Sequence, residues 1–275
     1  MIHIVHALGG CGGTVLSRCI GVLPGIALLS EINSASVKLF PSFDPLYQDK
    51  NWLHLLGPAD AERFSQMDLG NVEAFRELVD VFHVRASEAG RHLVLRDYSY
   101  VDFVGVPYTA DPPRRLTLYA TLPAGVPTRA AALIRHPVDQ WSSLRKHEFV
   151  RAVLTPAVFC EAYAAFLEEL GSSIPVYKYE DFVERPVMQL QAICGDLAIP
   201  FDPSFTERFH TFDYVTGDFT RQREKSISLP CRKKLSPKEL DEFRSSATFR
   251  RILRITGYAE PGAPEPFGLG AYVLT

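Results

Sequence analysis

Glycines at positions 9, 10, 12 and 13 surround Cys11 and lead into Thr14 and Val15. The run before them, residues 2–8, is apolar and β-branched and reads as a strand. Residues 14–22 put Val15, Leu16, Cys19 and Ile20 on one helical face. A strand, a glycine-rich turn and a helix start can hold an anion. The first-turn N–H groups are unpaired, the helix dipole adds partial positive charge, and glycine lets the backbone come close to a phosphate. The Thr14 hydroxyl can cap the helix or donate to that anion. No Gly-Lys-Ser/Thr follows the loop, so it is not a Walker A sequence. A plain tight strand–helix connection stays open from these residues alone.

The elements that must position such a loop repeat along the chain. Short apolar runs at 26–29, 92–95, 130–134 and 174–177 read as further strands. Helical patterns cover 71–90, 139–150, 156–170, 185–197 and 236–255. Asn71 and Ser236 stand as N-caps, and Pro237 and Glu239 open the last helix. Strands alternating with helices predict an α/β domain spanning 1–275: a three-layer, P-loop-like parallel sheet of about five strands with helices on both faces. Chemistry in such sheets sits beyond the carboxyl ends of the strands. Those ends collect Glu31, Arg96, Asp97, Arg135 and Tyr179 beside the glycine loop. Two aromatic, proline-rich excursions, 36–70 and 98–128, are expected over the same edge. Their rings can line an acceptor pocket or form satellite core. Residues 216–234 read as a polar, basic loop and 259–275 as an irregular tail.

Composition limits the function classes. The 275 residues are 47% hydrophobic and 22% charged, which is ordinary for a globular chain. A net charge of −3 gives no general attraction to nucleic acid or anionic membrane, so any basic site is local. The five cysteines are odd in number and show no Cys-x-x-Cys pair, which suits free thiols in a reducing compartment. No run of about 18 apolar residues is present, and the start MIHIVHALGG goes directly into a strand. A cytoplasmic protein without nucleic-acid or membrane partners is the expectation. The eight histidines offer no metal-ligand spacing, so no metal is expected.

In order along the chain, several segments resemble PAPS-dependent sulfotransferases, in pattern the bacterial and tyrosylprotein-type branch. Cys11-Gly12-Gly13-Thr14-Val15-Leu16-Ser17-Arg18 is similar to that family's 5′-phosphosulfate loop, and Leu29-Ser30-Glu31 to a strand-exit Glu. Leu95-Arg96-Asp97 resembles a Lys-Asp-Pro step. The fullest match runs from Ile134 to Arg145, where Arg135, Pro137 and Ser143 stand at the spacing of the 3′-phosphate motif. Val176 to Phe182, with Tyr179-Glu180-Asp181-Phe182 followed by Pro186, and Ile252 to Tyr258 resemble later segments of the family, the last its closing helix.

The resemblance implies transfer of a sulfuryl group from PAPS to a hydroxyl or amine of a small-molecule or carbohydrate acceptor, releasing adenosine 3′,5′-bisphosphate. It implies Glu31 as general base and Arg96 as a catalytic cation. It implies donor binding by Gly9, Gly10, Cys11, Gly12, Gly13, Thr14, Val15, Arg135, Ser143 and Tyr179. Arg232, in the basic loop, would reach the 3′-phosphate, and Ser226 or Ser228 would touch the sulfuryl group. Three loop positions depart from the pattern. Gly10 stands where the family carries Lys or Arg, Cys11 replaces a Ser, and Gly13 replaces a Thr. The missing cation leaves two alternatives: Arg96 fills in from the neighbouring strand, or the chain binds a nucleotide without catalysis.

Overall fold

The computed structural model describes residues 1–217, 225–229 and 235–260. Five strands, β1 (Ile2–Ala7), β2 (Ile26–Ile32), β3 (His92–Asp97), β4 (Thr128–Ile134) and β5 (Val176–Lys178), form one all-parallel sheet in the order β2-β3-β1-β4-β5. The helices of eight or more residues are α1 (Gly13–Gly21), α2 (Pro58–Ser65), α3 (Val72–Glu88), α4 (Pro137–Leu144), α5 (Pro156–Leu170), α6 (Pro186–Leu197), α7 (Pro237–Ser245) and α8 (Ala247–Thr256). The expected three-layer α/β fold is therefore the observed one.

Side-chain alternation along each strand sorts the core into layers. Val5, Ala7, Leu28, Val94, Ala131 and Leu133 pack on α1 and α6. On the other face, Ile2, Ile4, Leu93 and Leu95 meet Phe75, Leu78 and Phe82 of α3. Ala132 and Ile134 meet Tyr163, Phe166 and Leu170 of α5. Each fully buried large side chain stabilises the fold by about 1.5–3 kcal/mol. Asn71 caps α3 as expected, its side chain accepting from the N–H groups of Glu73 and Ala74 at 2.9 and 3.3 Å. The Ser236–Glu239 capping box opens α7.

Three expectations need correction. The last helix is two, because Ser246 is extended and its hydroxyl caps α8 by accepting from the Phe249 N–H at 3.1 Å. The expected 139–150 helix stops at Leu144 and resumes as a single turn at Glu148–Arg151. Arg145, the C-cap of α4, pairs with Glu239 and lies over Trp141 at 4.3 Å. Finally, β2 does not end at Leu29. It continues through Ile32 with a register shift against β3 between Leu29 and Ile32.

Candidate active site

The sheet order puts the carboxyl end of β1 between those of β3 and β4. The turn after β1 therefore has Arg96 on one side and Arg135 on the other. A cavity of about 300 Å³ opens there, lined by Gly9, Gly10, Gly12, Gly13, Thr14, Val15, Glu31, Arg96, Arg135 and Ser143. Ten of the sequence-derived site residues thus share one cleft.

The turn itself is shaped by two backbone requirements. Gly10 has φ +80° and Gly12 φ +101°, left-handed values that cost a residue with a side chain about 1–2 kcal/mol. Gly12 is the N-cap of α1, its carbonyl accepting from the Val15 N–H at 3.0 Å. A Cβ at Gly12 would run into the Tyr179 ring. At Gly10 a Cβ would lie 2.9 Å from the Gln140 carbonyl oxygen and 3.3 Å from Ser143 Cβ. Helix α4 is thus docked on Gly10, and this packing gives the physical reason that no Lys or Arg stands at that position.

Arg96 occupies the space that another missing side chain leaves. A Cβ at Gly13 would sit 3.0 Å from Arg96 Nη2 and 3.1 Å from Nε. The guanidinium therefore lies against the first residue of α1. Its Nη2 donates to Glu31 Oε1 at 2.7 Å, and its Nη1 donates to the Thr216 carbonyl at 3.2 Å. Both members of this ion pair are buried, at 6% and 8% side-chain exposure. Yet Arg96 Nε and Glu31 Oε2 have no hydrogen-bond partner among the described residues. Buried polar atoms are normally paired, so a free donor and a free acceptor side by side set this pair apart from an ordinary structural ion pair.

Glu31 is held in place by strain. Its φ is +55°, which a residue bearing a Cβ rarely adopts. The bulge between Leu29 and Ile32 throws it out of the ladder, and its neighbours pin the distortion. The Ser30 N–H donates to Gln48 at 2.7 Å, and the Ser30 hydroxyl accepts from the Thr216 N–H at 3.1 Å. On the other side Asn33 reaches Asp97, Asp102 and Thr117 at 3.0–3.4 Å. Strained residues of this kind cluster at functional sites.

Arg135 is fixed from three directions. Its carbonyl accepts from the Tyr163 hydroxyl at 2.9 Å, its Nη1 donates to the Gly10 carbonyl at 3.3 Å, and its guanidinium lies 5.6 Å from the Tyr179 ring centroid. Its Nε, like that of Arg96, is buried without a partner among the described residues. Glu180 fixes the strand exit, accepting from the His136 N–H at 2.9 Å and the Tyr258 hydroxyl at 2.8 Å. Burial pushes the Glu180 carboxyl up, against those hydrogen bonds.

Two sequence-derived residues, Cys11 and Tyr179, stand apart from the cavity lining. Cys11 faces the core at 1% exposure, and burial pushes its thiol up to about 11. Tyr179 is buried behind Gly12 and Arg135 and supports both, its hydroxyl donating to the Ser228 carbonyl at 3.3 Å. Arg232 lies outside the described residues, as do Arg221, Arg223 and Lys233. The cavity also has walls not foreseen at 139–150. Lys146 and His147 line it because α4 breaks just before them. Gly217 lines it too, placed over Thr14 by the Thr14 hydroxyl donating to the Thr216 carbonyl at 3.3 Å. Nothing in the local sequence marks that approach. Of the excursion aromatics, Phe40, Phe43, Tyr98 and Tyr100 line the cavity, while Trp52 stacks on Tyr214 instead. Among the described residues no helix is long and apolar enough to cross a membrane.

No family model and no curated protein matches the sequence. Solved structures do. The chain is similar to a sulfotransferase domain from the curacin biosynthetic pathway, with a TM-score of 0.61 at 14% identity, over 95% of this chain and 99% of that one. It also aligns with a sulfotransferase from Alicyclobacillus acidocaldarius (TM-score 0.44, 16% identity, 92% and 95% coverage). A third match is mouse sulfotransferase SULT7A1 complexed with PAP (TM-score 0.45, 12% identity, 93% and 88% coverage). The last two superpose less well. The fold of this chain is that of a sulfotransferase domain.

Proposed function

We propose that the chain transfers a sulfuryl group from PAPS to an acceptor hydroxyl. One observation carries the reading. Two buried arginines flank the glycine turn, each with an Nε that has no partner among the described residues, and a carboxylate oxygen equally without one there stands beside one of them. Two cationic groups on opposite sides of one helix N-terminus, in one cleft, suit a ligand with two anionic groups. Arg135 and Ser143 would hold the 3′-phosphate, and the turn amides with Arg96 would hold the 5′-phosphosulfate.

When bound, PAPS supplies the sulfuryl group and a good leaving group. The rest is done by the chain. Glu31 Oε2 takes the proton of the acceptor hydroxyl as the new O–S bond forms. Arg96 holds Glu31 through Oε1, and its guanidinium would stabilise the oxygen on which charge grows as the old S–O bond breaks. Arg96 thereby does the work of the cation that Gly10 cannot carry. Burial of the pair keeps water from weakening these interactions.

Thermal shift tests the reading. PAPS and adenosine 3′,5′-bisphosphate are expected to raise the melting temperature, and ATP with Mg²⁺ is not. Stabilisation by ATP·Mg²⁺ alone would point to a nucleotide kinase. Turnover unchanged in both Glu31→Gln and Arg96→Ala would leave a binding protein without the assigned chemistry.

A further inference from the structure

We propose that Gln48 is a positioning residue for Glu31: its side-chain amide stands in for the strand that β2 lacks and ties the base to the wall of the cleft at Ser42 and Phe43. This rests on the sulfotransferase reading above.

β2 is an edge strand, with β3 on one side and no strand on the other among the described residues. An edge leaves backbone N–H and C=O groups open. The pairing with β3 also shifts between Leu29 and Ile32, so the irregularity falls on Ser30 and Glu31. Ser30 is nonetheless fully buried, and its peptide groups need partners. Gln48, equally buried, supplies both. Its Oε1 accepts from the Ser30 N–H at 2.7 Å, and its Nε2 donates to the Ser30 carbonyl at 2.7 Å. A carboxamide carries the donor and the acceptor of a peptide group, which a carboxylate, a hydroxyl or an ammonium cannot copy. Nε2 also donates to the Ser42 carbonyl at 2.8 Å. That contact fixes which end of the amide is nitrogen, since the reverse would set its oxygen against two carbonyl oxygens.

The local sequence presents Gln48 to the strand. Asp44 caps the single helical turn Pro45–Gln48, its side chain accepting from the Leu46 N–H at 2.8 Å, and Pro45 opens it. The Gln48 N–H closes the turn on the Asp44 carbonyl at 3.1 Å.

Through Ser30 the amide reaches the chemistry. Ser30 precedes Glu31, and a φ of +55° persists only where the surroundings overdetermine it. Gln48 grips the Ser30 peptide groups. Thr216 grips the rest: its N–H donates to the Ser30 hydroxyl at 3.1 Å, and its own hydroxyl donates to the Ser30 carbonyl at 3.2 Å. The Thr216 carbonyl in turn accepts from Arg96 Nη1 at 3.2 Å. Ser30 is therefore the joint between Gln48 and the Arg96 side of the site. Ser42 and Phe43 line the same cavity as Glu31, so the bond to Ser42 sets this wall against the carboxylate. Gln48 itself does not line the cavity and acts through its neighbours.

The test compares Gln48→Glu, which keeps the size, with Gln48→Ala, both in the full chain. A protonated carboxyl can still accept from the Ser30 N–H and donate to one carbonyl. An ionised one faces the Ser30 and Ser42 carbonyl oxygens with nothing to donate. Turnover of labelled PAPS is followed with water as the probe acceptor. The water oxygen bonds to sulfur, the bond from sulfur to the 5′-phosphate oxygen breaks, one water proton goes to Glu31, and adenosine 3′,5′-bisphosphate leaves with the bonding electrons. Rates are read as ratios to wild type at each pH, which cancels the titration of native groups. Gln48→Glu is expected to stay within about threefold of wild-type kcat at pH 5 and to fall about 100-fold below it at pH 8, with the KM for PAPS within about threefold throughout. Gln48→Ala is expected to lose kcat at both. A merely structural Gln48 would lower stability and leave these ratios alone. Gln48→Glu matching wild type at both pH values, or a raised KM with kcat unchanged, overturns the proposal.

A second readout needs no turnover. Protection of the Thr216 N–H against hydrogen exchange is expected to fall at least about tenfold in Gln48→Ala, and in Gln48→Glu at pH 8 but not at pH 5, while amides of β1 and β4 keep theirs. Unchanged Thr216 protection in both variants overturns the proposal. If the wild type binds neither PAPS nor adenosine 3′,5′-bisphosphate, or hydrolyses PAPS too slowly to measure, exchange alone decides whether Gln48 holds Ser30; absent binding counts against the donor reading. If Gln48→Ala does not fold, Gln48→Glu at the two pH values carries the comparison.

Discussion

Restoring a cation at position 10 is expected to harm this protein. Two costs act there, and they can be measured apart. A side chain at φ +80° costs about 1–2 kcal/mol in backbone strain. Its Cβ would also lie 2.9 Å from the Gln140 carbonyl oxygen, a backbone atom of α4 that cannot swing aside. Moving the helix is an overpacking cost of about 1–3 kcal/mol. Gly10→Ala should therefore lose about 2–5 kcal/mol in all. Gly125 supplies the control, since it has φ +77° with nothing within 4 Å of its Cβ position. Gly125→Ala should lose the strain share alone. Urea unfolding of both variants, compared at constant m, isolates the packing share. Activity should follow the packing, because the Gln140 side chain donates to the Gly9 carbonyl at 3.0 Å and moves the turn with α4. Gly10→Arg is expected to lose turnover. A Gly10→Ala variant no less stable than Gly125→Ala, or a Gly10→Arg variant that turns over faster, would refute the account of why the loop lacks its cation.

Other consequences follow from the same geometry. Arg96→Met leaves Glu31 buried without its partner and should cost about 3–5 kcal/mol of stability, read by urea unfolding; a loss under 1 kcal/mol would contradict the burial of the pair. The Asp102 carboxyl is pushed up from 3.8 to about 7, first by burial and then by the charge of Asp97. The fold keeps this proton after the unfolded chain has lost it. The stability Asp102 contributes is therefore full below 3.8 and falls as pH rises toward about 7. The melting temperature of Asp102→Asn relative to wild type should accordingly improve between pH 4 and pH 8, and a pH-independent difference would refute this. Cys11, buried with its thiol pushed up to about 11, should escape iodoacetamide in the native protein at pH 7.5, as mass spectrometry would show. Phe82→Ala, at 0% exposure in the layer under α3, should lose about 3–5 kcal/mol in urea unfolding without changing nucleotide affinity.

What could be read from the sequence was whatever local chemistry dictates. Apolar β-branched runs ending in Gly, Arg-Asp or Arg-His-Pro located the strand ends, and the parallel-sheet rule gathered Glu31, Arg96 and Arg135 at one edge. Residues 156–170 have a cap, an N1 proline and a terminal glycine, and form a helix with those bounds. The misses are tertiary. Nothing local to 139–150 shows that Arg145 will pair with Glu239, 94 residues on, or that Lys146 and His147, just past the end of α4, will line the cavity. Ser30 and Glu31 read as a polar strand exit. Their place inside β2 depends on Gln48 and Thr216, which supply partners from distant segments. Tyr179 shared a strand end with the ligand-facing residues, but Gly12 lets its ring sink behind the turn. The break at Ser246 was the most legible of these, since Ser-Ser-Ala carries an N-cap signal within a helical pattern.

The account turns on two anion-holding groups in one cleft, Arg135 on one side and the glycine turn with Arg96 on the other. Calorimetric titration of adenosine 3′,5′-bisphosphate against adenosine 5′-monophosphate, in wild type and in Arg135→Ala, tests it most directly. Hydrogen bonds from a charged donor are worth about 1.5–3 kcal/mol. The wild type should therefore prefer the bisphosphate by about 10- to 100-fold, and Arg135→Ala should lose that preference while still binding the monophosphate. Equal affinity for the two nucleotides in the wild type, or a preference that survives Arg135→Ala, would contradict it.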